Sequence, residues 1–370
     1  MHRVSPLVPL TAYRSPFTAG LLTLVLMTMH LSPAKLTAAH AFAAAFEPGM
    51  RVCLTTHVNP DGDGLGSEAG LAHLLIARGV QVAITNPTPT PPRYDFLFTS
   101  LPGVDRTEEA VKEIRRADTI VVLDIGDLGR IGMLAGAVSE RGVPVACVDH
   151  HVSGGSLPDG PRYVDPQASA TAALVYEIAL GNNWELTREA ARSLYVGILT
   201  DTGAFRFSNT DARTLRTAAA LLETGLDPES IYLDVYANAP EGRARLLAEA
   251  LQTLVVEPED GLAWVTVPPG AMSRHNVTAD DLDGVVEYPR SIAGIRMALL
   301  FRELASGRIK VSLRSVGDVD VAAFARPFGG GGHIKAAGVS VEGTMAQAQQ
   351  LILTAAREYL RKTRVDLPRA

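Results

Sequence analysis

Between residues 50 and 150 the sequence alternates short apolar runs with amphipathic stretches, without a repeat of fixed period. The apolar runs are Arg51-Val-Cys-Leu-Thr-Thr-His57, Val80 to Thr85, Thr119-Ile-Val-Val-Leu-Asp124 and Val143 to Val148. Helix-like patterns at Leu65 to Arg78 and Glu108 to Arg116 stand between them, with a Pro-rich loop at Pro87 to Pro92. Uniformly apolar strands that alternate with helices predict a parallel sheet covered on both faces. Such a sheet gathers ligands beyond the carboxyl ends of its strands. His57, Asp124 and Asp149 each stand at such an end, so polar clusters far apart in sequence should converge on one crevice.

Helical patterns dominate from Ala170 to about Glu257, including Thr187 to Thr200 and Glu241 to Val255. Fresh strand signals then appear at Leu262 to Val267, Ile295 to Arg302, Ile309 to Arg314 and Ala337 to Val341, and Met345 to Arg361 reads as a closing helix. The expected fold class is α/β, a parallel-sheet domain at 32–239 with helices on both faces, a helical connector at 240–257 and a smaller C-terminal α/β domain with a mixed sheet at 258–364. Residues 1–31 read as an extension or a mis-assigned start. The apolar Leu21 to Met27 and the Ala39-His-Ala41 triplet also permit a secretory signal, but Ser32 and Pro33 open a capped helix that cleavage there would cut into. The apolar stretch is too short to span a bilayer.

A net charge of −6 argues against long duplex nucleic acid as a partner, since that is held by many Lys and Arg contacts to phosphate. The two cysteines, Cys53 and Cys147, are too few for a disulfide framework or a zinc-thiolate site, and suit reduced core thiols in a cytoplasmic protein.

His57-Val-Asn-Pro-Asp61-Gly-Asp63-Gly carries the first cluster. Read as a calcium-binding EF-hand loop it fails, because Gly70 occupies the position that needs Glu. Asp61-Gly-Asp63-Gly alone is an ordinary solvated turn. With Asp124, Asp149-His150-His151 and Asp201, however, five carboxylates and three histidines aim at one crevice. They would repel and desolvate one another unless cations neutralised them. Six such ligand side chains are too many for one ion with open positions and suit two ions sharing a bridging carboxylate. Their mixed nitrogen and oxygen donors favour manganese or a related divalent ion. Two such ions ~3.5–4 Å apart activate a water and neutralise phosphate oxygens, so the natural reaction is phosphoester hydrolysis.

Five motifs in order then resemble the DHH phosphoesterase superfamily: His57 to Gly64, Val121-Val-Leu-Asp124, Asp149-His-His151, Thr200-Asp-Thr-Gly-Ala-Phe-Arg-Phe207 and Phe328-Gly-Gly-Gly-Gly-His333. Order and spacing are most similar to its bacterial oligoribonuclease and PAP phosphatase branch, over residues 33–362. The resemblance implies that His57 and Asp61 hold one manganese, that Asp63, His150 and Asp201 hold the other, and that Asp124 bridges them. Mg2+ or Co2+ are further candidates for the ions. It implies that His151 works beside the scissile phosphate and that Asp149 orients a neighbouring ligand. It also implies a homodimer acting on short RNA oligonucleotides and nucleotide bisphosphates, with two domains closing around the substrate.

Gly329 to Gly332 lacks the Lys-Ser/Thr of a P-loop and the spacing of a dinucleotide fingerprint. Alone it reads as a flexible loop. Beside His333, Ser312 and Arg314 it looks like the substrate clamp of the DHH-associated domain, with Arg314 gripping a terminal phosphate and Gly330, Gly331 and Gly332 letting sugar or base lie against the backbone. Ile334 stands where family members usually carry a basic residue, which bears on the strength of phosphate binding. Asn59 and Arg206 lie within motifs and either reach a substrate phosphate or, for Arg206, pair with a structural carboxylate. Asp127 and Arg130 read as an ion pair bracing the loop or as part of the family pattern. His73 and His275 have no motif support. Cleavage of linear or cyclic dinucleotides and a nucleotide sensor without turnover stand as the alternatives.

Overall fold

The computed structural model describes residues 31–152, 156–237, 239–282, 284–304 and 306–363. The apolar Leu21 to Met27 segment, and with it the question of the first 30 residues, lies outside them. The chain divides into two compact units after Ala237.

In the first unit, α1 (Pro33–Ala43) opens on a Ser32 side chain that accepts from the Lys35 amide, with Pro33 in the first turn. The strands β1 (Arg51–Thr55), β2 (Gln81–Ile84), β3 (Thr119–Leu123), β4 (Val145–Asp149) and β5 (Arg162–Val164) form one sheet in the order β2-β1-β3-β4-β5. Every pairing is parallel. Between and after them run α2 (Gly62–Ile76), α3 (Ala110–Arg116), α4 (Leu134–Arg141), α5 (Thr171–Gly181), α6 (Arg188–Asp201), α7 (Ala212–Leu222) and α8 (Pro228–Tyr236).

The strands are apolar throughout because both faces are covered. Alternate residues go to opposite sides: Val52, Leu54, Val121, Leu123, Ala146 and Val148 pack with α2, α5 and α6, whereas Cys53, Ile120, Val122 and Cys147 pack with Ile114 of α3 and Leu134 and Val138 of α4. β5 is an element the sequence patterning does not announce. It spans three residues with only Tyr163 buried.

The second unit has a six-stranded mixed sheet. Its strands are β6 (Val255–Glu257), β7 (Leu262–Thr266), β8 (Met297–Glu303), β9 (Ile309–Ser315), β10 (Gly331–His333) and β11 (Ala336–Val341), ordered β10-β11-β9-β8-β7-β6, with β7 and β8 parallel. Its helices are α9 (Glu241–Leu251), α10 (Ala271–Arg274), α11 (Glu287–Arg290), α12 (Val321–Ala325) and α13 (Met345–Lys362). The segment expected as a connector is drawn into this unit, since Leu246 and Ala250 of α9 are buried against Ala263 and Val265 of β7. The helix also ends earlier than its pattern suggests, because Val255 to Glu257 pair with Leu262 to Trp264 instead. The expected glycine loop is in fact an edge hairpin. Gly331 pairs with Gly338 and His333 with Ala336.

Candidate metal centre

Loops and helix ends deliver the acids and imidazoles to one place. His57 follows β1, Asp61 and Asp63 open α2, Asp124 follows β3, Asp149 ends β4 just ahead of His150 and His151, and Asp201 is the last residue of α6. His57 Nε2 lies 3.7 Å from both Asp61 Oδ2 and Asp124 Oδ2. His150 Nε2 lies 3.4 Å from Asp124 Oδ1, 3.7 Å from Asp201 Oδ2 and 3.9 Å from Asp63 Oδ2. Asp124 therefore turns one oxygen to each set of donors. Ligand atoms held about 2.0–2.2 Å from one ion stand about 3–3.5 Å apart, close to these separations.

Local hydrogen bonding aims each group. Asp61 Oδ1 caps α2 by accepting the amides of Asp63 and Gly64 at 3.0 and 3.1 Å, which leaves Oδ2 for His57. Asp63 is buried and accepts the first amides of α5, Thr171 N at 2.6 Å and Ala172 N at 2.9 Å. The Thr171 hydroxyl donates to Asp124 Oδ1 at 2.9 Å. His57 Nδ1 meets the Val58 carbonyl at 3.0 Å and His150 Nδ1 meets that of Ala168 at 3.2 Å, so once each ring gives up its second proton the Nε2 lone pair is the one turned to the carboxylates. Asp124 holds φ at 58°, a conformation that costs a non-glycine residue free energy and that clusters at working sites.

Whether this set fits a divalent metal is tested by His57 Nε2. The atom is buried and has no hydrogen-bond partner, though two carboxylate oxygens stand near it. An orphaned buried nitrogen is costly, and an ion between it and those oxygens removes the cost. The electrostatics agree. Burial alone would depress both imidazoles, yet Asp61 and Asp124 raise His57 to about 9, and Asp124, Asp201 and Asp63 raise His150 to about 11. Burial lifts Asp201 to about 7 and pushes Asp63 well up, whereas three neighbouring histidines hold Asp124 far below the carboxylate range despite its burial. Such opposed shifts mark an uncompensated charge cluster.

Asp149 is fully buried. Its Oδ1 accepts from the His151 amide at 2.9 Å and lies 2.8 Å from His151 Nδ1, and its Oδ2 accepts from the Gly126 amide. His151 Nε2 faces Arg130 Nη1 at 3.2 Å, and the same nitrogen of Arg130 donates to the Ile125 carbonyl. Asp127 and Arg130 meet through the backbone, Arg130 N donating to the Asp127 carbonyl at 3.0 Å, while the Asp127 carboxylate accepts the amides of Gly129 and Ser156. Arg206 is exposed and donates from Nε to the Gly203 carbonyl at 2.7 Å, not to a carboxylate. Asn59 is exposed beside the cluster at a φ of 55°. His73 and His275 lie elsewhere, on Ser100 and Glu249. Sequence reasoning missed the α5 amides and Asn209, whose side chain lies 3.4 Å from Asp201 Oδ2; backbone donors and a lone Asn carry no motif.

In the second unit Arg314 is ion-paired, its Nε 3.1 Å from Glu287 Oε1 and its Nη1 on the Leu313 carbonyl. Ser312 of β9 stands in register with Leu300 of β8 and Gly338 of β11. A Cβ at Gly330 would stand 2.3 Å from the Gly338 carbonyl oxygen and one at Gly332 2.4 Å from that of Ala336, so these two glycines are required by the hairpin itself, while the space at Gly331 is open. The side chain of His333 lies outside the description.

A parallel sheet whose strand ends place one carboxylate between two imidazole and carboxylate sets suits a metal-dependent hydrolase. Residues 51–198 match the DHH family, N-terminal domain, and residues 262–362 match the DHHA1 domain. The chain is 33% identical to the bifunctional oligoribonuclease and PAP phosphatase NrnA of Thermus thermophilus, across 84% of this chain and 90% of that protein. It is 29% identical to the protein of the same name from Bacillus subtilis, across 78% and 89%. An exopolyphosphatase-related protein from Bacteroides fragilis superposes with a TM-score of 0.83 at 28% identity, covering 91% of this chain and 99% of its own. The chain belongs to the DHH family.

Proposed function

We propose that the chain is a manganese-dependent phosphoesterase that hydrolyses very short oligoribonucleotides to mononucleotides and dephosphorylates 3′-phosphoadenosine 5′-phosphate to AMP. The observation that carries this is Asp124, which offers Oδ2 to His57 and Oδ1 to His150. In this reading His57 and Asp61 hold one ion, Asp63, His150 and Asp201 the other, and Asp124 both. Two divalent ions supply a nucleophile derived from water and neutralise charge on the phosphoryl oxygens. Asp149 holds the His151 ring by Nδ1, so Nε2, which faces Arg130 Nη1 at 3.2 Å, is the atom that would serve a phosphoryl oxygen or a leaving group once that contact gives way. Asn59 and Arg206 in the first unit, and Ser312, Arg314, Gly330, Gly331, Gly332 and His333 in the second, bind substrate.

The names of the two curated relatives support the substrate class. The acidic chain, with a net charge of −6, argues in the same direction by disfavouring long nucleic acid. Two free, buried thiols suit a cytoplasmic enzyme, and among the described residues no helix is long and apolar enough to cross a membrane. The working form is a homodimer, with residues 32–239 as the catalytic domain and 258–364 as the substrate-binding domain.

Purified protein with manganese is incubated separately with a labelled diribonucleotide, a long RNA single strand, a cyclic dinucleotide and the adenosine bisphosphate. Release of mononucleotide from the first and AMP from the last is expected. Preference for the long strand or the cyclic dinucleotide overturns the substrate assignment, and no product from any of them leaves a nucleotide sensor.

A further inference from the structure

We infer that Glu68 and Asn86 are positioning residues for the His57 imidazole: Glu68 fixes which way the Asn86 carboxamide faces, and Asn86 fixes the strand end that carries His57. The inference rests on the metal-centre reading and adds to it two residues that lie outside the donor set.

Glu68 sits on α2 with no exposed surface, among Leu65, Ala69, Leu71 and Ala72 of the core. Its Oε2 accepts from Asn86 Nδ2 at 2.9 Å, and its Oε1 is buried without a hydrogen-bond partner. Burial pushes the carboxyl up to about 8, against the opposing pull of the Asn86 hydrogen bond. A leucine would fit such surroundings at lower cost, because a buried acid with one amide partner destabilises the fold. Packing alone therefore does not account for an acid at this position.

What Glu68 touches does account for it. The parallel ladder between β1 and β2 ends at the pair Leu54 and Ile84, followed by one last backbone bond from Thr85 N to the Leu54 carbonyl at 2.8 Å. One step further, Asn86 Oδ1 accepts the Thr56 amide at 3.1 Å. A side chain thus adds a rung to the ladder at the residue immediately before His57. Asn86 is itself held, 1% exposed, with its amide on Thr107 Oγ1 at 3.1 Å. The two ends of a carboxamide are nearly the same shape, so its partners alone decide which end meets Thr56. Glu68 accepts from the NH2 end, and the oxygen is left for the Thr56 amide. Without an acceptor at position 68 the amide can turn over, the Thr56 amide loses its partner, and His57 loses its fixed height beside Asp124.

The test is a manganese titration by calorimetry of metal-stripped wild type, Glu68→Leu, Glu68→Gln and Asn86→Ala, with thermal melts of the metal-free chains. Glu68→Leu and Asn86→Ala should each weaken one of two ion-binding steps by about 10–100-fold, the range for changes behind a metal ligand. Metal-free Glu68→Leu should melt no lower than wild type, and Glu68→Gln, whose amide oxygen still accepts from Asn86, should restore the affinity. A merely structural role would lower melting and leave the two steps alike. The inference is overturned by two wild-type ion affinities in Glu68→Leu and Asn86→Ala, or by Glu68→Gln binding no better than Glu68→Leu. If Glu68→Leu does not fold, Asn86→Ala decides alone. The titration contains no nucleotide, so a chain that bound both ions yet hydrolysed none of the proposed substrates would refute the proposed function and not this inference.

Discussion

Gly197 lies so close to Asp63 that a Cβ on it would stand 2.8 Å from Asp63 Oδ1, and 2.5 Å from the Ala172 methyl. Gly66 returns the approach, since a Cβ there would meet the Ser193 carbonyl oxygen at 2.5 Å. The two glycines bring α2 and α6 together and seat Asp63 against the first amides of α5. Gly197→Ala should therefore cost about 1–3 kcal/mol, as overpacking does, and weaken metal binding as well. Gly136→Ala on α4, where nothing lies within 4 Å, should instead gain roughly 0.5–1 kcal/mol. Urea unfolding measures both, and an unchanged midpoint for Gly197→Ala would show that the contact yields freely.

Asp124→Asn removes one negative charge from the carboxylate that faces both donor sets. Asn accepts a positive φ better than most residues, and its carbonyl can still take the Thr171 hydroxyl, so the fold should survive. Turnover with manganese should drop by more than the ~100-fold that a change behind a ligand produces. A variant that kept near-normal rates, with a wild-type circular dichroism melt, would end the bridging role.

Part of this centre was legible in sequence because His57, Asp124 and His150 follow apolar strands, where one acid or imidazole after a run such as Thr119 to Leu123 stands out. The supports were not legible. Thr171 and Ala172 hold Asp63 through backbone amides, which have no side-chain signature. Glu68 lies in a helix whose other residues read as core, and its partner Asn86 follows a different strand. The hairpin at Gly331 was hidden because glycine weakens strand propensity, and pairing with Ala336 to Gly338 overrides that. Val255 belongs to a helical pattern by sequence and to β6 by tertiary pairing.

Proton linkage gives a prediction of definite sign. His57 and His150 have folded pKa values raised to about 9 and about 11 by their carboxylates, against their burial. Their contribution to the stability of the metal-free chain is fully present below the unfolded value of about 6.5 and is lost as pH rises through 9 and then 11. Chelator-treated protein should melt progressively lower from pH ~7 upward. Ions must displace the same protons, so their affinity should climb over that window by about tenfold per pH unit for each proton released. Titrations in buffers of different ionisation enthalpy count those protons, and a count of zero would contradict the assignment of both imidazoles.

Beneath the loop that fixes His150, α1 is tied to the sheet by a charge network. Lys35 Nζ lies 2.6 Å from Asp165 and 3.1 Å from Glu177, while Arg213 reaches the same two acids at 2.8 and 2.6 Å. Tyr163 donates to Glu177 at 3.0 Å. Glu177 is 2% exposed, so losing a cation leaves a buried charge short of a partner. Arg213→Leu should cost about 3 kcal/mol, the lower end for a broken buried pair, because Arg213 is itself 26% exposed. Lys35→Leu should cost about 1 kcal/mol, since Arg213 still reaches both acids, one with each terminal nitrogen. Equal costs for the two variants in urea would mean that the network is not shared in this way.

Under the proposed assignment, Arg314 would hold substrate and leave the chemistry to the metal centre. It lies in β9, where Glu287 holds its Nε and the Leu313 carbonyl its Nη1, so Nη2 is the nitrogen that would meet a phosphate. A charge-assisted contact of that kind contributes about 1.5–3 kcal/mol, so Arg314→Ala should raise KM for the adenosine bisphosphate by roughly 10–150-fold. The kcat should change little, because in that assignment Arg314 grips a phosphate and is not one of the ion-holding residues. Arg314→Lys keeps the charge but lacks the fork, and should fall between the two. If instead kcat fell with KM unmoved, Arg314 would be acting in the transition state and not as a grip on a distant phosphate, and the assignment of the second unit to substrate binding would lose its support.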